Sequence, residues 1–409
     1  MSGAYLLDWF SLIARWAHLI AGISWIGASF YFVWLDDSLA PPADPADAER
    51  GVSGELWAVH GGGFYHNRKY PTGPHGAPLT EDLHWFKWEA YSTWITGVAM
   101  LAIVYWAGAA TFLIDPAVLA LTPPVAIAIS FASLLLGYLG YDLLCRAFAA
   151  RPALLWTSVT AFLLLLDDAL FHVFGGRAAF IHVGSILGTI MVANVAHVII
   201  PGQKKMLAQI RAGEIPDPRL GQRGKTRSVH NTYLTLPVLF IMISTHYPMT
   251  YGGAYGWLVL AAIAAAGVLV RRFFVLTHKH RFVVALPVAA ALLLAAVAVA
   301  IAPHGAAPAA TTVPSTAGAA GAGVMTYALV EPIVRQRCAV CHAANPTQPG
   351  FAAAPAGVLL DTPEHAQANA QRAYAQAVAS HAMPLGNITR MTDAERDLLG
   401  SWITGGAKI

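Results

Sequence analysis

The sequence predicts an all-α protein, an eight-span transmembrane helical bundle that carries a small helical domain at its C-terminal end. Three observations predict it. Of 409 residues, 56% are hydrophobic and only 11% charged, a balance too apolar for an ordinary soluble enzyme. The apolar runs are long enough to cross a bilayer, which takes roughly 20 residues each. After the last run the composition changes to "HGAAPAATTVPSTAGAAGAG", an Ala/Pro/Gly/Thr-rich connector without a charged residue. The chain therefore divides into an integral membrane domain over 1–303, a flexible linker over 304–324 and a compact domain over 325–409.

The spans are read at 10–35, 89–112, 122–144, 153–174, 180–201, 230–248, 254–270 and 282–303. The start, "MSGAYLLDWF", has no basic segment and runs directly into a full-length span, so the first helix itself does the targeting. Lys and Arg are retained on the cytoplasmic side of a membrane. The loops after the first, third, fifth and seventh spans are basic, most densely from Lys204 to Arg227, whereas the opposite loops carry only Arg177. This asymmetry places both ends of the chain outward, away from the cytoplasm. The net charge of +3 is then a product of topology and gives no reason to expect nucleic acid as a partner; the lipid bilayer is the partner.

In the compact domain, "YALVEPIVRQRCAVCH" has helical spacing and ends in C-x-x-C-H, the attachment signature of a c-type haem: thioethers from Cys338 and Cys341, and His342 to iron. A zinc site would need a second Cys/His pair, and none follows. "HAQANAQRAYAQAVA" is a second helical stretch, and "TDAERDLLGSWITGGA" is a third, with Thr392 as N-cap and Glu395 at the capping-box position. Three helices around one haem is the plan of a class I cytochrome c. The second axial ligand is assigned to Met383, in an A-M-P context, with Met391 and His381 as competitors; a thioether opposite histidine raises the reduction potential, which suits an electron acceptor.

Histidines inside spans are functional candidates. His18 lies in the first span, with Gly22 and Trp25 on the same face. His182 and His197 are fifteen residues apart on the fifth span, a rise of about 22 Å that returns to within roughly 60° of one face. With His172, His230 and His246 they suggest an outer layer (His18, His172, His182, His246) and an inner layer (His197, His230). His18, His182, His197 and His230 are the candidate ligands of non-covalent haem b, the competing reading for each being an interfacial or hydrogen-bonded histidine.

The first cytoplasmic loop, "GELWAVHGGGFYHNRKYPTGPHGAPLTEDLHWFKWEAY", gathers His60, His66, Glu55, Arg68 and Lys69 among aromatic residues. Long loops of this composition are default binding sites. The residue types fit a planar anion, and His60, His66, Glu55 and Arg68 are the catalytic candidates. The competing reading is an amphipathic segment lying on the membrane with Trp57, Phe64 and Trp85 in the interface.

"ARWAHLIAGISWIGASFYFVWLDDSL", "ELWAVHGGGFYH", "KWEAYSTWITG" and "CAVCH" together resemble the membrane-bound, cytochrome c-fused urate hydroxylases of bacterial purine breakdown, the PuuD type, along essentially the whole chain. The resemblance implies oxidation of urate to 5-hydroxyisourate with water as the oxygen source. Electrons would pass to the chain's own haem c and on to a soluble or membrane cytochrome c or a terminal oxidase. The residues alone say redox enzyme. A quinol or other small-molecule dehydrogenase, or a non-catalytic haem electron-transfer subunit, would share every feature except the substrate pocket.

Overall fold

A computed structural model describes residues 3–75, 78–116, 118–302, 325–349, 351, 354–379 and 381–409; the expected linker, 304–324, lies outside the described residues. The protein is predominantly helical. In chain order come α1 (Gly3–Ser38), the strands β1 (Gly54–His60) and β2 (Gly63–Lys69), then α2 (Trp88–Met100), α3 (Pro123–Ala147), α4 (Pro152–Phe171), α5 (Gly176–Ala193), α6 (Ile200–Arg211), α7 (Pro218–Ser244), α8 (Gly256–His278) and α9 (Ala285–Ala300).

Among the described residues five helices are long and apolar enough to cross a membrane, against the eight that the sequence predicts: Trp9–Ser38, Pro123–Ala147, Pro152–Phe171, Gly176–Arg211 and Gly256–His278. The other three predicted spans fold as helices of a different kind. The second is broken, α2 passing into a π-helical turn (Leu101–Trp106) and a short helix (Ala109–Phe112). The sixth is α7, whose first turns are polar and hold Arg219, Arg223, Lys225 and Arg227. The eighth is α9, apolar but only 16 residues long. The fifth span is continuous through a π-helical turn at Asn194–Ile199. Pro201 follows it and has no N–H to return to His197, which accounts for the local widening of the helix.

The hairpin departs from the all-α expectation. Its register pairs Glu55 with Arg68, Trp57 with His66 and Val59 with Phe64, so these alternate residues share one face. Gly61 and Gly62 turn the chain with φ of 58° and 80°, the two-residue geometry that matches strand twist and that glycine enters without steric cost. Lys69 of β2 and Lys225 of α7 both pair with Asp36 at the end of α1, while Lys279 after α8 holds Asp37 at 3.2 Å. The hairpin, the start of α7 and the end of α8 are thereby gathered at one end of the bundle.

The helices bury a core that includes Tyr141, Phe174, Phe180, Ile186 and Ile190. The C-terminal residues have a core of their own around Val330, Leu399, Trp402 and Met391. Here α10 (Tyr327–Ile333) continues as a π-helical turn (Val334–Cys338) into the C-x-x-C-H motif, α11 (Pro363–Ala368) leads a second helical stretch, and α12 (Asp393–Thr404) closes the chain. α10 packs on α12, with the Tyr327 and Trp402 rings 5.6 Å apart. The expected capping box forms: the Thr392 hydroxyl accepts from the Glu395 N–H, and the Glu395 carboxylate accepts from the Thr392 N–H.

Candidate functional site

In the C-terminal motif, Cys338 and Cys341 are free thiols one helical turn apart. The His342 N–H donates to the Cys338 carbonyl at 2.9 Å, continuing that turn. The His342 ring hydrogen-bonds through Nδ1 to the Val358 carbonyl at 2.9 Å, which fixes the tautomer and leaves Nε2 as the metal-facing nitrogen. This donor set fits a covalently held haem. Of the two methionines, Met391 is 3% exposed in the core, and its backbone is clamped at both N–H and carbonyl by the Asn387 side chain. Met383 is only partly buried and, like Cys338, packs against that core. Its carbonyl accepts from the Arg396 guanidinium at 2.7 Å.

The loop after Met383 meets the end of the helical unit at Thr111 and Ile114. A Cβ on Gly386 would lie 3.0 Å from the Ile114 carbonyl, and the Phe351 and Phe112 rings are 6.0 Å apart. Between the two parts lies a cavity of about 550 Å³ lined by Arg177, Tyr251, Tyr255, Trp257, His381 and Gly386.

The hairpin brings together three of the four catalytic candidates. His66 Nε2 is 2.9 Å from Glu55 Oε2, and Trp57 stacks flat on the His66 ring at 4.3 Å. The Ala43 N–H donates to the other Glu55 oxygen at 2.9 Å; this bond first, and then His66, holds the Glu55 carboxyl below its usual range. Arg68 spends its guanidinium on Asp47 in a two-pronged pair of 2.8 and 3.0 Å. His60 stands apart, exposed next to the turn. The second half of the loop lines a separate open cleft of about 940 Å³, where His84, Trp85 and Lys87 face Lys204 and Arg211 of α6.

The span histidines separate by depth. His182 is fully buried, with Nδ1 2.7 Å from the Ala178 carbonyl and Nε2 2.6 Å from the Ser130 hydroxyl. Both ring nitrogens are engaged, so His182 as folded does not fit an iron ligand. His18 hydrogen-bonds through Nδ1 to the Thr93 carbonyl and the Thr96 hydroxyl, at 3.0 and 3.1 Å. Tyr105 and Trp106, beside His182 and its partner Ser130, stand about 14 Å further along that helical rod. His18 and His182 therefore do not form the single outer layer expected. His197 is exposed and bonds through Nδ1 to the Tyr138 hydroxyl at 2.9 Å, and His230 is buried and bonds through Nδ1 to the Tyr141 hydroxyl at 2.8 Å. His18, His197 and His230 thus share the pattern of Nδ1 held by the protein, which suits ligation through Nε2.

Sequence reasoning missed the polar network around His230. Arg227 pairs with Asp142 at 2.6 Å and donates to Asn194 at 3.2 Å; Asn194 donates to Tyr141 at 3.0 Å and to Asn231 at 2.9 Å. All of these residues are buried. Polar side chains at span positions 141–142, 194 and 230–231 were the available signal, which attention to histidine alone passed over.

The chain is largely helical, with several helices long and apolar enough to span a membrane and a buried polar network between them. The urate oxidase N-terminal family model matches residues 4–302, and the chain belongs to that family. This membership supports an oxidoreductase acting on urate. No curated protein and no solved structure matches the chain.

Proposed function

We propose that this protein is a membrane-bound urate hydroxylase that converts urate and water into 5-hydroxyisourate, two protons and two electrons, and sends the electrons to a haem c on its own C-terminal domain. The observation that carries the reading is the join between the two parts: the family match covers the membrane helices, and the loop after Met383 packs on their Thr111–Ile114 end. Cys338, Cys341, His342 and Met383 would hold the haem. When bound, the haem accepts electrons one at a time and passes them to a downstream cytochrome c or oxidase. His66, oriented by Glu55 at 2.9 Å, would accept a proton as urate is oxidised. Arg68 would act on Asp47 and Glu55, and so on the hairpin, more than on substrate.

A substrate site at the hairpin end would lie across a hydrocarbon core of about 30 Å from the outward haem, so a relay follows from this reading. Nε2 of His18, His197 and His230 would supply the ligands for haem b. The test is turnover in isotopically labelled water under air. Label in 5-hydroxyisourate, without stoichiometric hydrogen peroxide, is the expected result; product oxygen drawn from O₂ would overturn the reading.

A further inference from the structure

If the hairpin Arg68 is committed to Asp47, another cation must hold the substrate anion, and the bundle contains one with an open edge. Arg271 of α8 is 3% exposed, and its Nε and Nη2 have no hydrogen-bond partner among the described residues. These two nitrogens form one side of the planar guanidinium, the pair of parallel donors that grips two neighbouring acceptor atoms. A buried guanidinium with this edge unsatisfied carries a desolvation cost that an anion would relieve. The Arg271 guanidinium lies over the Phe30 ring of α1, 4.0 Å from its centroid. His278 lies two turns on, about 10 Å along the same face, and its Nδ1 is likewise buried without a partner. Asp37, the nearby carboxylate, is engaged by Lys279 at 3.2 Å.

We infer that Arg271, backed by Phe30 and followed by His278, is the anchor of an anion site between α1 and α8, and that its ligand is a planar anion presenting two adjacent acceptors, the urate monoanion. The inference rests on the urate reading above and names the site where that reading binds its substrate. It sits at the end of the bundle where Asp36 ties down the hairpin through Lys69, so anchor and proton acceptor share a side. The same edge could instead hold a carboxylate of a haem, and the experiment separates the two.

Equilibrium dialysis of radiolabelled urate against the purified full-length protein, without oxygen, reads affinity independently of turnover. Arg271→Gln should weaken binding about 10- to 100-fold, as expected for losing a charged two-point hydrogen bond. Arg271→Lys, which keeps charge but not the fork, should recover part of it. Arg272→Gln, which alters the neighbouring exposed arginine that donates to the Tyr233 hydroxyl, should bind as the unaltered protein does. Total haem, covalent and extractable, should be unchanged in all three, which also reports that they fold. Unaltered affinity in Arg271→Gln overturns the proposal while leaving the urate reading intact. Loss of extractable haem with affinity retained assigns the edge to a haem carboxylate and overturns it equally. Failure of the unaltered protein to bind urate sinks the functional reading itself.

Discussion

At the scale of single residues, the C-terminal motif makes the sharpest statement. The His342 ring meets the Val358 carbonyl through Nδ1, and Met391 is enclosed in the core, so Met383 is the thioether the account commits to. Met383→Ala should keep covalent haem but abolish the methionine-to-iron absorption band; persistence of the band would return the ligand to Met391. Glu55 makes a second statement, through pH. The Ala43 N–H and then His66 keep its carboxyl below the usual range, so its contribution to the hairpin is complete above the ordinary glutamate value of about 4.3 and is lost as pH falls through the depressed one. Protease sensitivity of residues 54–69 should rise on acidification in the natural protein, and Glu55→Gln should already be sensitive at neutral pH. The helical lead-in to the C-x-x-C-H motif was legible from spacing alone. The loss of Arg68 to Asp47 was not, because nothing in the local sequence reveals a pairing across 21 positions.

At the scale of elements, the hairpin shows what the loop composition concealed. "ELWAVH" and "FYHNRK" flank Gly-Gly-Gly, a strand–turn–strand signal, yet the aromatic and charged content equally described a membrane-surface segment. Strand pairing puts Trp57, Val59 and Phe64 on one exposed face, a different surface from the one an amphipathic helix would present. Gly62 carries the turn at φ of 80°. Gly62→Val should cost the hairpin about 1–2 kcal/mol, the penalty for a side chain in the left-handed region; hydrogen exchange across 54–69 would register it, and an unchanged protection pattern would argue against the turn. The long helices were legible because hydrophobic length dominates them. The break in the second span at Leu101–Trp106 and the widening before Pro201 were not, since both depend on packing or on one missing N–H.

At the scale of the whole molecule, a helical unit of the urate oxidase N-terminal family is joined to a C-terminal unit outside the family match. Their separate cores were foreshadowed by the change in composition after residue 303. The contact of Gly386 with Ile114 was not, because it is made between segments more than 250 residues apart. That contact matters only if electrons from urate reach the C-terminal haem. The most direct measurement is anaerobic addition of urate to the purified, fully haem-loaded protein while the haem c spectrum is followed. The expected result is reduction of haem c with formation of 5-hydroxyisourate in proportion to the electrons received. A haem c that stays oxidised with urate but is reduced by dithionite would contradict it, and would make a quinol or another small reductant the donor.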